Sequence, residues 1–195
     1  SYWQEMVQDN LITTLSNSGE LKVRQTESVS SLLQDKKITD YASLTPAIAS
    51  KVSQKLDAHV FIHGSINQIG PLIRLNAKIV DSKTEEIIKS FQKDGTSENI
   101  LSVVDTLSEM VRDFLIISKL KQQKQTAYEL SASTSSPEAY RYFIEGKDAF
   151  FRLDYAASRD LLLKAYSIDS NLNYAAILIV FSYSNQGMSE EARKW

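Results

Sequence analysis

The sequence has no cysteine among its 195 residues, which excludes disulfide bonds, thiolate metal sites and a cysteine nucleophile. It also lacks a long apolar run, since the longest candidates, residues 114–117 and 175–181, fall far short of the roughly 20 residues of a membrane-spanning helix. Phosphate-binding motifs of the G-x-x-x-x-G-K and G-x-G-x-x-G types are absent too. We therefore expect no bound cofactor and no metal ion.

An excess of basic charge is also missing. The chain has 22 Lys and Arg against 24 Asp and Glu, for a formal charge of -2, and its basic residues are scattered rather than clustered. This provides no electrostatic footprint for DNA or RNA, so no nucleic-acid partner is expected. With 43% hydrophobic and 24% charged residues, the composition is typical of a globular chain of one or two domains.

Small and aromatic residues recur after residue 136 with a period of about 34 residues. The positions of the first unit are Tyr142, Gly146, Tyr155, Ser158, Leu162 and Ala165, and those of the second are Ala176, Ile179, Val180, Tyr183, Gly187 and Ala192. This pattern resembles the tetratricopeptide repeat, a helical hairpin. The resemblance implies a binding scaffold rather than an enzyme.

Local signals support these helices. Ser136, Pro137 and Glu138 form an N-cap, a proline at the first helical position and an acid at the positive end of the helix dipole. Asp154 can cap the second helix, and Gly146 is expected where two helices cross closely. Because such arrays generally need about three units, we expect these residues to be a piece of a longer protein.

The first half has a different pattern. Helical spacing predicts helices at residues 2–16 and 44–56, with a short strand at residues 21–25 between them. Three runs, 58–66, 72–80 and 86–91, are predicted as consecutive antiparallel strands. The middle run alternates apolar and polar residues, whereas Val60, Phe61 and Ile62 do not alternate, which predicts that the first strand is the more central one.

A wide apolar stripe follows the strands, and it predicts a helix that covers the sheet. The stripe consists of Ile100, Val103, Val104, Leu107, Met110, Val111, Phe114 and Leu115. Residues 119–137 are polar and rich in serine, which is typical of a linker. We therefore predict an α+β protein with an α/β domain at residues 1–118, a linker at 119–137 and helical repeats at 138–195, the second repeat truncated.

Four segments of the first half carry a further resemblance. Residues 2–15, 21–23, 56–66 and 72–84 are similar to the TolB amino-terminal-like domain family. In that family the module often precedes tetratricopeptide repeats in bacterial cyclases, serine/threonine kinases and winged-helix regulators. The resemblance implies an extracytoplasmic segment of a membrane-anchored protein. The family module usually opens with an apolar strand ahead of the first helix, whereas this sequence begins at that helix. Either another segment replaces that strand, or the sheet has an unpaired position that is open to a partner strand.

Candidate catalytic residues are few. His59 and His63 share a strand face but lie about 13 Å apart, at about 3.3 Å per residue, which is too far for one metal ion. Ser65 follows Gly64, as in a nucleophile elbow, but Asn67 stands where that motif requires glycine, and Gly64 is better explained by a bulge or a close backbone approach. The acidic pairs Glu85-Glu86 and Glu190-Glu191 are expected on solvated turns and helix starts.

Aromatic side chains are densest in the repeats, at Tyr140, Tyr142, Phe143, Phe150, Phe151, Tyr155 and Tyr166. Most are expected in the inter-helix core, and any that face a concave surface would anchor a peptide. Tyr140 and Arg141 are the candidates for partner binding, because the repeat template requires neither.

These observations predict a non-catalytic protein-interaction or sensory-assembly segment of a larger bacterial signalling or envelope protein. Its partner would be a protein or peptide, and a homo-oligomer is a further possibility. The alternative is a small-molecule sensor whose α/β half regulates an attached kinase, cyclase or DNA-binding domain. An enzyme built from distant residues ranks last.

Overall fold

The computed structural model describes residues 2–24, 29, 31–32, 45–123 and 134–195. The protein has an α+β fold, as predicted. The elements are α1 (Tyr2–Ser16), α2 (Pro46–Lys55), β1 (Val60–Ile69), β2 (Leu72–Asp81), β3 (Ile87–Thr96), α3 (Ile100–Gln123), α4 (Pro137–Phe151), α5 (Tyr155–Ile168), α6 (Asn173–Asn185) and α7 (Ser189–Ala192). They form two compact units, Ser1–Arg112 and Asp113–Trp195. The predicted domain limits and linker stay a prediction.

The sheet of the first unit has the order β1-β2-β3, and both strand pairs are antiparallel, as predicted. Ile73, Leu75, Ala77 and Ile79 on β2 are buried, so the alternation in the sequence correctly identified a strand with one buried face. The strand nevertheless lies at the centre of the sheet.

The prediction that the first strand is the more central one is wrong, because β1 lies at an edge. Its apolar start fails to alternate for a local reason. Ile62 pairs with Ile79 and shares the core face of the sheet with it. Phe61 is on the other face, where it pairs with Val80 of β2, and Val80 in turn pairs with Ile87 of β3. An apolar row across all three strands therefore produced the pattern that we interpreted as burial on both sides.

The predicted strand at residues 21–25 is also wrong over the part described, residues 21–24, which have no regular secondary structure. α1 ends in a turn where Gly19 has a φ of 69°, a value that favours glycine. The Ser18 hydroxyl oxygen then accepts hydrogen bonds from the Glu20 and Leu21 amides, both at 3.3 Å. These bonds satisfy the backbone locally, so the chain leaves the turn without joining the sheet.

The helices of the first unit agree with the sequence patterns. α2 begins after Thr45, whose hydroxyl accepts from the Ile48 amide, and Pro46 occupies the first turn. None of the eight stripe residues of α3 is exposed. α3 also starts tightly against the sheet, because a Cβ added at Gly95 would lie 2.7 Å from Val103 Cγ2.

The second unit is helical, and its caps are those predicted. The Ser136 hydroxyl accepts from the Ala139 amide at 3.2 Å, and the Asp154 carboxylate accepts from the Ala157 amide at 3.1 Å. Between α4 and α5, Leu153 has a φ of 65°, which a leucine rarely adopts. The two helices therefore form a hairpin with a short, strained connection.

One apolar core holds these helices together. It contains Ile117, Ala139, Tyr140, Phe143, Ile144, Leu162, Ala165, Leu172, Ala175, Leu178 and Ile179. Gly146 lies where α4 meets α5, and a Cβ added there would be 2.7 Å from Leu162 Cγ. The small residue predicted at this crossing is thus required by close packing. Among the helices that the structure describes, none has the length and apolar character of a bilayer-spanning segment.

Candidate functional site

The two histidines are not brought together with other metal ligands. His59 is exposed just before β1, and the half-buried His63 lies opposite Lys78 on β2, a cation that disfavours a bound metal ion. Within the described ranges, no group of three or more His, Cys, Asp and Glu residues has the geometry to hold a metal. His59 is therefore explained as an exposed residue at the entry to β1 and His63 as a strand residue.

Ser65 has no base beside it among its described partners. Its hydroxyl accepts hydrogen bonds from the side-chain amides of Asn67 and Asn76, at 3.3 and 3.2 Å. The neighbouring Gly64 is explained by packing, because a Cβ there would clash with the backbone carbonyl oxygen of Asn76 across the strand pair. This is the close backbone approach that the sequence suggested.

The acidic pairs lie where solvated charges are expected. Glu85 has a φ of 61° in the exposed β2–β3 turn, and Glu190 pairs with Arg193 at 3.0 Å between two exposed side chains. The lowered carboxyl pKa values belong to local structural bonds. Asp81 has a lowered pKa because the Thr84 and Lys83 amides donate to it, and that of Asp94 is lowered by the Arg74 guanidinium.

The aromatic residues of α4 mostly fill the inter-helix core, as expected. Phe143 is buried and meets Tyr174 of α6 edge to face, with ring centroids 6.1 Å apart. Phe150 contacts Tyr155 in the same way at 5.5 Å. Phe151 is different, since 59% of it is exposed at the end of α4.

The two candidate partner-binding residues lie at the start of α4. Tyr140 is 1% exposed, in one core with Ile117 of α3, and Lys121 Nζ lies 5.8 Å from its ring centroid. Arg141 is half-buried. The Tyr140 ring is therefore not accessible to a partner in this structure. The structure does not test whether these residues bind a partner, which stays a prediction.

Sequence reasoning missed an exposed apolar stripe on α6. Ile177 and Phe181 are 48% and 53% exposed. They lie one turn apart on the same face of the helix as Tyr174. The signal was present in the sequence. Residues 174–181 are apolar on every side, which is typical of a helix that is covered all round.

The outer edge of β1 is a second surface. The His59 carbonyl accepts a hydrogen bond from the Ser82 amide. In an antiparallel pair every second residue bonds to the partner strand, so the odd-numbered residues of β1 bond to β2. The even-numbered residues between Val60 and Gln68 point their backbone N–H and C=O groups away from β2. No strand in the described part of the chain lies on that side. β1 has no Lys, Arg, Asp or Glu, whereas the β3 edge has Lys89, Lys93 and a bulge.

The third surface is a groove of about 460 Å³ between α1 and the first half of α3. Its walls mix acidic, polar and apolar side chains: Glu5, Met6, Asp9, Asn10, Thr13, Leu101 and Val104. The Asn10 amide donates to the Asp105 carboxylate at 2.6 Å and ties the two helices together. Leu101 is 65% exposed, so its apolar side chain is left open to solvent at the groove.

No protein-family profile matches the chain. It is 25% identical over 193 residues to "Putative adenylate cyclase 3" of Rhizobium meliloti (strain 1021). That match covers 95% of this chain but 31% of the relative, so the chain spans about a third of the curated protein it resembles. Among solved structures, the LpoB C-terminal domain from Salmonella enterica matches with a TM-score of 0.38 and 19% identity, over 43% of this chain and 62% of that one. A likeness at that level bears on neither fold nor function.

Proposed function

We propose that this chain is a non-catalytic protein-interaction and sensory-assembly segment of a larger bacterial signalling or envelope protein. The match to a cyclase supports the signalling context, since nearly all of this chain corresponds to about a third of that relative. The segment would hold or position a partner, and any chemistry would belong to other parts of the protein.

The exposed stripe on α6 is the observation that carries this proposal. Two large apolar side chains, Ile177 and Phe181, face solvent on a helix that is otherwise built for burial. They share a face of α6 with Tyr174, whose ring contacts Phe143 of α4. A partner that binds this face would therefore add to an existing aromatic cluster. About half of each side chain is still exposed, so burying the rest contributes about 1 kcal/mol each to partner binding.

The open β1 edge supports the same function in the first unit. A partner strand would pair with the outward backbone groups of Val60 to Gln68, which supply affinity without side-chain specificity. No charged side chain on β1 opposes that pairing.

The finer expectations belong to this proposal as well. They are the TolB amino-terminal-like and tetratricopeptide character of the two halves, partner binding through Tyr140 and Arg141, an extracytoplasmic location, a membrane-anchored parent and homo-oligomerisation. The sensor alternative stays a prediction, and thermal melts against a metabolite panel test it, because a ligand at about 100 times its Kd stabilises by about 2.7 kcal/mol.

The test of the interaction function compares two double variants of the whole chain in pull-downs from bacterial extract. Ile177→Ser with Phe181→Ser should lose partners that the parent chain retains. Ile69→Ser with Leu72→Ser, which removes two exposed apolar side chains at the β1–β2 turn, is the matched control and should retain them. Recovery of no specific protein by the parent chain, or equal losses in both variants, would contradict the proposal.

A further inference from the structure

Two helical stretches of the first unit carry acidic charge and no basic charge. α1 contains Glu5 and Asp9, and residues 100–111 of α3 contain Asp105 and Glu109, with no Lys or Arg in either stretch. The whole chain is nearly balanced, with 22 basic and 24 acidic residues. α1 therefore has a net negative charge, and the first basic residue of α3 is Arg112.

Two of these carboxylates, Glu5 and Asp9, line the groove between α1 and α3. They lie one turn apart on the α1 wall, about 6 Å along the helix axis, whereas the Asp105 carboxylate of α3 accepts from the Asn10 amide. The groove is also lined by Met6, Leu101 and Val104. The groove thus combines an acidic α1 wall with apolar side chains from both helices.

Helix stability does not explain this arrangement. Glu5 is in the first turn of α1, where it favours the helix dipole, but that effect fades beyond one turn and does not extend to Asp9 or Asp105. Neither Glu5 nor Asp9 forms an ion pair with a described residue. Leu101 is 65% exposed and contributes little to the core.

We propose that this groove binds a basic amphipathic helix of a partner protein. Apolar side chains of that helix would contact Met6, Leu101 and Val104, and Lys or Arg residues one turn apart would face Glu5 and Asp9. The acidic α1 wall repels nucleic acid and anionic lipid surfaces, so a basic protein segment is the complementary occupant.

This inference rests on the proposed function in treating the chain as an interaction segment, but it concerns a different surface with its own chemistry. The α6 pull-down and the groove measurement use separate variants. If the α6 pull-down fails, the groove measurement can still be interpreted, and the reverse also holds.

The experiment uses the whole chain and a labelled synthetic helix of leucine and lysine, about 18 residues long, with the leucines on one face. Fluorescence anisotropy should show binding that weakens about three- to tenfold as salt rises from about 50 to about 300 mM. The matched peptide with glutamate in place of lysine should not bind.

Variants locate the site. Glu5→Gln with Asp9→Asn should weaken binding about three- to tenfold, and Leu101→Ser about tenfold. The loss of the first-turn charge of Glu5 should cost at most about 1 kcal/mol of stability, so both variants stay folded in the assay. Glu85→Gln with Glu145→Gln removes the same charge at other exposed positions and should leave affinity unchanged. Ile69→Ser is the control for lost apolar surface.

Four outcomes would overturn the proposal. They are absence of binding by the lysine peptide, equal binding by the glutamate peptide, equal loss in the Glu85/Glu145 control, and stronger association with anionic vesicles than with neutral ones. The last would assign the surface to a membrane instead.

Discussion

Replacing Gly146 with alanine places two effects of opposite sign in direct competition. Alanine favours an open helical position over glycine by about 1 kcal/mol. At this crossing, however, the new Cβ would lie 2.7 Å from Leu162 Cγ and 3.2 Å from Leu161 Cβ. Leu162 is fully buried, and its Cγ is a branch point close to the backbone, so it cannot swing aside.

Overpacking of this kind typically costs about 1–3 kcal/mol, which exceeds or cancels the helical gain. We therefore expect Gly146→Ala to lower the free energy of unfolding by about 0–2 kcal/mol, and Gly146→Val to lower it further. Urea unfolding followed by far-UV circular dichroism measures the change. For a domain of 60–100 residues, a loss of 1 kcal/mol lowers Tm by about 4–8 °C.

A double-mutant cycle identifies the cause. Leu162→Ala alone should cost about 2–5 kcal/mol because it leaves a cavity. With alanine at Gly146, the new methyl group fills part of that cavity, so the double variant should be less destabilised than the sum by about 1 kcal/mol. Additive effects, or a Gly146→Ala variant that is about 1 kcal/mol more stable than the parent, would refute the close-packing argument.

The remaining predictions concern the strand pair, the α4–α5 connection and the second-unit loop. Gly64→Ala should destabilise the first unit by about 1–3 kcal/mol in urea unfolding, because its methyl group meets a backbone carbonyl that cannot rotate away; an unchanged midpoint would contradict this. Leu153→Gly should raise stability by about 0.5–1 kcal/mol by relieving its φ of 65°, and a fall in Tm would count against strain there. Asp154→Ala should cost about 0.5–2 kcal/mol through loss of the α5 cap, whereas Asp154→Asn should largely preserve it. Asp169 has a pKa below the usual 3.8, mainly because the Thr134 hydroxyl donates to it. Its stabilisation is thus present above about pH 4 and is lost as the pH falls through the lowered value, so Asp169→Asn should flatten the acid side of the stability–pH curve.

Helices could be predicted well because their signals are local. The apolar stripe of α3, the caps at Ser136 and Asp154 and the small residue at Gly146 each report an interaction within a few residues or at one crossing. The structure confirms all of them. Strand order could not be predicted in the same way, because it depends on which strands pair across the chain.

For the surfaces proposed for binding, the sequence likewise indicated local character, but only the packing showed which side chains are exposed. Residues 174–181 revealed that α6 is apolar all round, but only the packing shows that Ile177 and Phe181 remain uncovered among the described residues. The opposite holds for Tyr140. It looked available because no repeat position requires it, yet it is buried in one core with Ile117 of α3.

By itself, the sequence determined the α+β class, the helices with their caps and the alternation of β2, because side-chain periodicity and capping are properties of neighbouring residues. Tertiary structure alone decided that β1 is an edge strand, that residues 21–24 stay outside the sheet, and that the acidic helix α1 and the first half of α3 line a groove beside Leu101. Burial and pairing depend on residues far apart in the chain, and no local pattern specifies which of them meet.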